Sequence, residues 1–463
     1  MERNIPPMSQ TVSSTQLFTP ATLDPSEAVT GLRAVARATR VNALAMWSRE
    51  AYRQETFVQS ELRRPRFLLN GEAGIHRVLV ANPQNYRRTP ATIRVLYPIT
   101  GEGLLLSEGE TWRRQRRTVA PALAPRIMPM LARHVVDVTQ RTLSAHQPGT
   151  TDALGLMQSL TLNIAARSMF SVEMDTHGDQ LRRMIASYGE RLGRPTLLDL
   201  MLPPAIPTPR DFARMAFRFR WLRLMDRIMA SRPDTPPDGQ ARDLFDLLLQ
   251  ARDPETGTGF TREQLRDQMA TLILAGHETT ALTLFWALYL LANAPDIQAR
   301  LAAEVRDLDT ATVANTAVLK TLPLTRAVIQ ETLRLYPPAF TLVRKAIAED
   351  RFDDTTIPAG SIILIAPWVL HRHEKLWTDP HAFDPARFEG EPALAHRFAY
   401  LPFGAGPRVC VGAQFALTEA VIVLAMLIQR FAITLEDKEP VLPVAIITTQ
   451  PDRAVPFRFT LRP

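Results

Sequence analysis

The chain holds one cysteine, Cys410, inside Phe403-Gly404-Ala405-Gly406-Pro407-Arg408-Val409-Cys410-Val411-Gly412, and a long apolar helical run starts at Ala413. Glycines at 404, 406 and 412 permit tight bends and close backbone approach to a flat partner. Arg408 offers a planar fork of donors to an anion. A thiolate just ahead of a helix N-terminus is favoured by the helix dipole. A single soft anionic ligand held this way suits one heme iron and not zinc, which takes several protein ligands. The competing reading is an inert buried cysteine, the ordinary fate of a lone thiol. Phenylalanine, three glycines and arginine at these offsets argue against it. One cysteine also excludes an intramolecular disulfide and any multi-cysteine zinc or iron–sulfur site.

The formal net charge is +7, but the basic residues are spread along the chain, and lysine stands only at 320, 345, 375 and 438. Without a lysine-rich tail and interleaved aromatics, no nucleic-acid partner is expected, whereas a local basic face for an acidic protein fits. Met1 to Pro20 lacks a charged-then-apolar signal pattern. The nearest approach to a membrane span, Leu272 to Ala292, carries His277 and Glu278 and reads as a buried helix. The expectation is a cytoplasmic protein without a transmembrane anchor.

Apolar residues at three-to-four spacing predict helices over Arg126–Ser144, Thr151–Phe170, Asp211–Ser231, Arg262–Ala292, Asp296–Leu308, Leu324–Leu335 and Ala413–Phe431. Strand patterns are clearest at Arg66–Leu69 and Ser361–Ile365, the second after a Pro358-Ala359-Gly360 turn. Prolines at 203, 204, 207 and 209 make a stiff connection between helices, and those at 233, 236 and 237 a surface loop. The chain therefore reads as one mainly helical domain, 1–463, with small β portions near the N-terminus and after Tyr336.

Leu274-Ala275-Gly276-His277-Glu278-Thr279-Thr280 interrupts the apolar run of the longest predicted helix. An acid beside two threonines in a core helix is costly unless paired or hydrated. Small Ala275 and Gly276 leave room for a planar group, and a threonine hydroxyl bonding back to the helix can open a bulge that holds water. Glu331 and Arg334, three residues apart, share a helix face and can pair. Trp112 and Arg116 share another face within Trp112-Arg113-Arg114-Gln115-Arg116-Arg117. Together with Arg408 and Arg344, they are candidates to bind heme propionates through indole and guanidinium donors. Arg113 and Arg117 are expected to point instead towards an acidic redox partner.

The loop around Cys410, with Phe403, Gly404 and Gly412 at its fixed positions, resembles the heme-binding loop of the cytochrome P450 family, and the likeness extends from about Arg66 to the C-terminus. The resemblance implies a triangular, mainly α single-domain fold with small β sheets, a heme b held by the Cys410 thiolate, and monooxygenase activity. It makes Glu278 and Thr279 the acid–alcohol pair that delivers protons during dioxygen activation, beside Ala275 on the cofactor side. His277 is read as structural or water-facing. The resemblance adds Arg387 to Glu331 and Arg334 as a buried triad that holds the cysteine loop, although Ala386 stands where the family usually has glutamate. The first sixty residues match only loosely.

By family position the substrate pocket is lined by Thr92–Leu106, Leu198–Pro207, Leu272–Thr279, Ala339–Val343 and Ile446–Thr449. Leu272, Ala275, Phe340, Leu342 and Ile447 are its candidate apolar walls, implying a hydrophobic fatty acid, terpenoid or aromatic substrate. Arg94 is either a carboxylate anchor for a fatty acid or a solvent-facing loop arginine. The segment Met201–Pro207 is read as a lid over the pocket in preference to a lipid contact. The 53 residues after Cys410 have room for its helix and a hairpin, so electrons are expected from a separate ferredoxin or flavodoxin with its reductase. A peroxide-driven peroxygenase would share the heme loop without needing Glu278 and Thr279. A non-enzymatic heme sensor or carrier would need neither a substrate cavity nor a proton relay.

Overall fold

The computed structural model describes residues 17–25, 38, 40–59, 64–171, 178–203, 205–232, 240–309, 318–390 and 394–463. The expected surface loop at Pro233, Pro236 and Pro237 lies outside them, as does Pro204. The helices that position the site are α1 (Pro90–Thr100), α2 (Gly109–Val119), α3 (Met128–Ala145), α4 (Ala153–Phe170), α5 (Pro209–Ala230), α6 (Arg262–Ala292), α7 (Pro323–Leu335) and α8 (Ala413–Arg430).

Helix α6 runs through the centre. Its start is fixed by a capping box: Gln264 N–H donates to Thr261 Oγ1 at 3.2 Å, and Thr261 N–H donates to Gln264 Oε1 at 3.1 Å. From Thr280 to Leu291 every residue is buried, as expected for a helix that is apolar all round. Trp286 stacks on Tyr336 with ring centroids 3.8 Å apart, and its indole N–H donates to Thr449 O at 3.0 Å. This single side chain joins α6 to the end of α7 and to the C-terminal hairpin. Around α6 pack α4, α1, α5, α7 and α8.

The largest sheet has the order β1 (Thr56–Gln59), β2 (Arg66–Leu69), β8 (Ile362–Ile365), β5 (Leu342–Ala346) and β3 (Tyr86–Arg87). Strands β2 and β8 pair in parallel, with Phe67 opposite Ile363, so distant parts of the chain share one layer. Strands β6 (Asp350–Phe352) and β7 (Thr355–Ile357) form one hairpin, and β10 (Pro443–Ala445) and β11 (Thr449–Pro451) another.

The third sheet corrects a boundary. Residues 151–152, expected as the start of a helix, belong to β4 (Gly149–Asp152), which pairs with β12 (Pro456–Leu461); β9 (Phe431–Leu435) lies on the other side of β12. Asp152 instead caps α4, its Oδ1 accepting from Gly155 N–H at 3.0 Å. Pairing with a strand more than three hundred residues away overrode the local helical pattern. The helix expected over Asp296–Leu308 starts at Pro295 and ends at Glu304.

Leu272–Ala292, read in the sequence as a buried helix, is one. One described helix is long and apolar enough to cross a membrane: α8, with mean hydropathy 1.4. It is mostly buried inside the protein, and Phe415 and Val421 to Ile428 belong to the main core.

Candidate functional site

The cysteine loop is shaped by its first two glycines. Gly404 and Gly406 have φ of 70° and 71°, which disfavours any side chain. A Cβ on Gly406 would also stand 1.9 Å from Leu79 O, so the close approach here is to the protein's own backbone. Cys410 N–H donates to Phe403 O at 2.9 Å and closes the loop. A Cβ on Gly412 would meet nothing within 4 Å.

Cys410 is exposed. Burial pushes the thiol up, opposed by the Gly412 N–H and the Arg116 charge. The helix dipole expected to favour the thiolate is thus outweighed by desolvation while the thiol is uncoordinated. Ala275 is also exposed, although it lies in the middle of α6, and a Cβ on Gly276 would meet nothing within 4 Å. Leu272, one turn earlier, is half-buried. The middle of α6 and the cysteine loop, whose residues 402–412 are all half-buried or exposed, therefore both present open, small-residue surface.

Guanidinium groups are concentrated beside the loop. Arg88 and Arg408 both donate to Glu108, Arg88 at 3.2 Å and Arg408 by a closer contact. Arg408 also lies 4.4 Å over the Trp112 ring, and its Nη1 is buried without an acceptor. Burial, Arg88 and Arg408 push Arg344 down to about 9, and burial and Arg88 push Arg408 down to about 10. Arg88 and Arg408 share one carboxylate, and Arg344 beside them donates, among the described residues, only to Val343 O at 2.9 Å, so the cluster is short of negative charge. Residues Arg88 and Glu108 were missed in the sequence. Arg116 donates to Val409 O at 2.9 Å, which ties α2 to the cysteine loop. Of the two arginines expected to face a redox partner, Arg113 is exposed and paired with Glu110. Arg117 is committed to buried Asp253 at 2.9 Å and is corrected to an internal tether.

Glu278 does not bond to Thr279. Its Oε1 accepts from Thr448 Oγ1 at 2.9 Å and Gln450 Nε2 at 2.7 Å, and burial pushes its carboxyl up. Thr279 Oγ1 donates back to Ala275 O at 2.6 Å, yet α6 stays α-helical throughout, so the anticipated bulge does not form. His277 is buried between α6 and α4, where Thr161 donates to its carbonyl oxygen at 3.1 Å. Its ring does not face water, and neither ring nitrogen has a hydrogen-bond partner among the described residues.

The triad assembles. Arg334 donates bidentately to Glu331, both bonds 2.7 Å, and both side chains are fully buried. Arg334 also reaches His371 O at 2.8 Å, Pro380 O at 2.7 Å and Ala382 O at 2.9 Å. Arg387 Nε lies 3.6 Å from Glu331 Oε1. The link onward is His371, which the sequence did not reveal. Its Nδ1 faces Arg334 O at 3.3 Å, and its Nε2 accepts from Leu401 N–H at 2.8 Å, two residues before Phe403. Burial pushes His371 down to about 3, so the ring stays neutral and can accept. His371→Ala leaves the Leu401 N–H without a partner and is expected to cost about 1–3 kcal/mol, read as a lower denaturant midpoint.

Of the apolar walls, Leu342 lies 3.7 Å from where a Gly404 Cβ would stand, and Phe340 is buried on the adjoining turn. Ile447 packs against Gly193, ahead of the short helix Leu197–Met201. Arg94 fits neither sequence reading. It is buried in α1 and donates to Pro203 O at 2.9 Å and Ile206 O at 2.8 Å, with Asp211 at 3.4 Å. With its donors turned to backbone carbonyls, it clasps the segment before α5 and offers no substrate anchor. Arg94→Ala is expected to weaken charged and neutral ligands alike and to speed protease cleavage near 202–206.

The cytochrome P450 family model matches residues 40–455. Cyclooctat-9-en-7-ol 5-monooxygenase of Streptomyces melanosporofaciens is 35% identical over 339 residues, 72% of this chain and 73% of that protein. Pentalenene oxygenase of Streptomyces avermitilis is 30% identical over 370 residues, 79% and 81% of the two chains. In fold, the chain is similar to the cyanobacterial CYP120A1 bound to retinoic acid, with a TM-score of 0.78, 22% identity and coverage of 96% and 100%. The heme domain of cytochrome P450DA gives 0.76 at 23% identity, covering 96% and 98%. The ordered motifs, the mainly α fold and these relatives agree: the chain belongs to the cytochrome P450 family of heme-thiolate monooxygenases.

Proposed function

We propose that this chain, as one domain, oxygenates a hydrophobic small molecule of the terpenoid class, with Cys410 as the iron ligand of a heme b. The observation that carries the reading is the open surface at Cys410 and at Ala275, the latter in the middle of a helix that is otherwise largely core. Cys410 would give up its proton on coordination, since a metal-bound thiol is deprotonated. The cluster of Arg88, Arg344 and Arg408 suits the two propionates, with Trp112 and Arg116 flanking it. Bound there, the heme would supply dioxygen activation with electrons from a separate carrier, ferredoxin or flavodoxin.

The protein's own part is positional. Leu272, Phe340 and Leu342 exclude water and favour an apolar substrate. Glu278, oriented by Thr448 and Gln450, retains a proton to higher pH than an ordinary glutamate and can release it towards Thr279. Two of the relatives are named for cyclooctat-9-en-7-ol and pentalenene, which favours the terpenoid class over fatty acids, as does the loss of Arg94 as an anchor.

The test is a panel of terpenoid alkenes, fatty acids and aromatics added to the heme-loaded protein, read as a shift in heme spin state and then as turnover with a ferredoxin system. Terpenoids are expected to give the largest shift and an oxygenated product. No shift and no turnover with any compound would favour a sensor or carrier. Turnover with peroxide alone would favour a peroxygenase.

A further inference from the structure

Away from the cysteine loop, a groove of about 540 Å³ opens between α3, the end of α4 and the chain before Leu244. Its walls include Arg133 and His134 of α3, Arg167 and Ser171 at the end of α4, and Arg242. Met130 and Ala241 supply apolar surface.

The charges here do not balance. Arg242 pairs with Asp246 at 3.0 Å, but Asp246 also holds Arg232 at 2.8 Å, and Asp243 holds Arg232 at 2.7 Å. Asp243 and Asp246 are therefore committed, and Asp137, on the next turn of α3, also faces His134. Arg133 and Arg167 pair with no carboxylate among the described residues, and Arg167 Nε is buried without an acceptor. His134 Nδ1 is buried without a partner as well. Burial and the Arg167 charge, opposed by Asp137 and joined by Arg133, push His134 down to about 4, so the ring is neutral near pH 7 and has one N–H to offer. Buried polar nitrogens are ordinarily hydrogen-bonded, and Arg133, His134 and Arg167 all line this one groove, which invites an acceptor from outside the chain.

The chemistry of that acceptor follows from the walls. Two guanidiniums without a carboxylate partner among the described residues match a dianion, and their planar forks suit phosphate oxygens. The groove is much larger than one phosphate and falls in the size range of small-molecule sites. Its apolar wall at Met130 and Ala241 can cover an organic group. We propose that this groove binds a phosphorylated small molecule, its phosphate monoester held by Arg133 and Arg167.

The site is separate from the chemistry, since the other packing faces of α4 and α3 lie against α6 and α8. Calorimetric titration of the heme-loaded protein, in phosphate-free buffer at fixed chloride, tests the proposal with AMP, adenosine and inorganic phosphate as probes. Saturable AMP binding is expected, competed by inorganic phosphate and absent for adenosine. Arg133→Gln, at an exposed position, and Arg167→Gln are each expected to weaken AMP at least tenfold, with the heme spectrum unchanged. Inorganic phosphate binding as tightly as AMP would identify the free ion as the ligand and keep the anion site. No saturable binding of either phosphate at millimolar concentration, or binding undiminished by Arg133→Gln, would overturn the proposal.

Discussion

Arg334→Ala is expected to yield little heme-loaded, folded protein. The substitution strands the fully buried Glu331 carboxylate and leaves the carbonyls of His371, Pro380 and Ala382 without their donor. Breaking one partner of a buried pair costs about 3–5 kcal/mol, a large part of the 5–15 kcal/mol that holds a typical domain together. Arg334→Lys should fare scarcely better, because an ammonium cannot reproduce a bidentate fork aimed at one carboxylate and three carbonyls. The effect passes through His371 to Leu401, so heme retention should fail together with the melting temperature. A variant that melts like the parent and keeps its heme would contradict the role of the triad.

Glu278→Gln is expected to lower product formation by about 10²–10⁴-fold, the range for removing a positioned acid or base. Substrate-induced spin shifts should survive, because Glu278 is tied to Thr448 and Gln450 and not to the apolar walls. Thr279→Ala should divert reducing equivalents to peroxide, measured as the ratio of product formed to electrons consumed. Product coupling unchanged in both variants would remove the pair from proton delivery.

The features legible in the sequence are those with a local cause. The bounds of α6 follow from its apolar spacing, closed at the start by the Thr261 and Gln264 box and at the end by Asn293 and Pro295. The bends of the cysteine loop follow from glycines that alone accept φ near 70°. The pairing of Glu331 with Arg334 follows from spacing on one helix. What stayed hidden depends on partners far along the chain. Nothing near Glu278 announces Gln450, nothing near Cys410 announces Arg88 and Glu108, and nothing near Phe403 announces His371. Arg94 shows the same limit: an arginine between apolar residues reads as a ligand or a solvated charge until the carbonyls of Pro203 and Ile206 are in place. Strand β4 was hidden for the same reason, since its pairing partner β12 lies at the other end of the chain.

The central claim is that Cys410 ligates the heme iron as a thiolate, and the carbon monoxide difference spectrum of the reduced, heme-loaded protein tests it most directly. A strongly red-shifted Soret band, lost in Cys410→His while heme remains bound, is the predicted result. Bound heme with an unshifted band in the parent protein would contradict it.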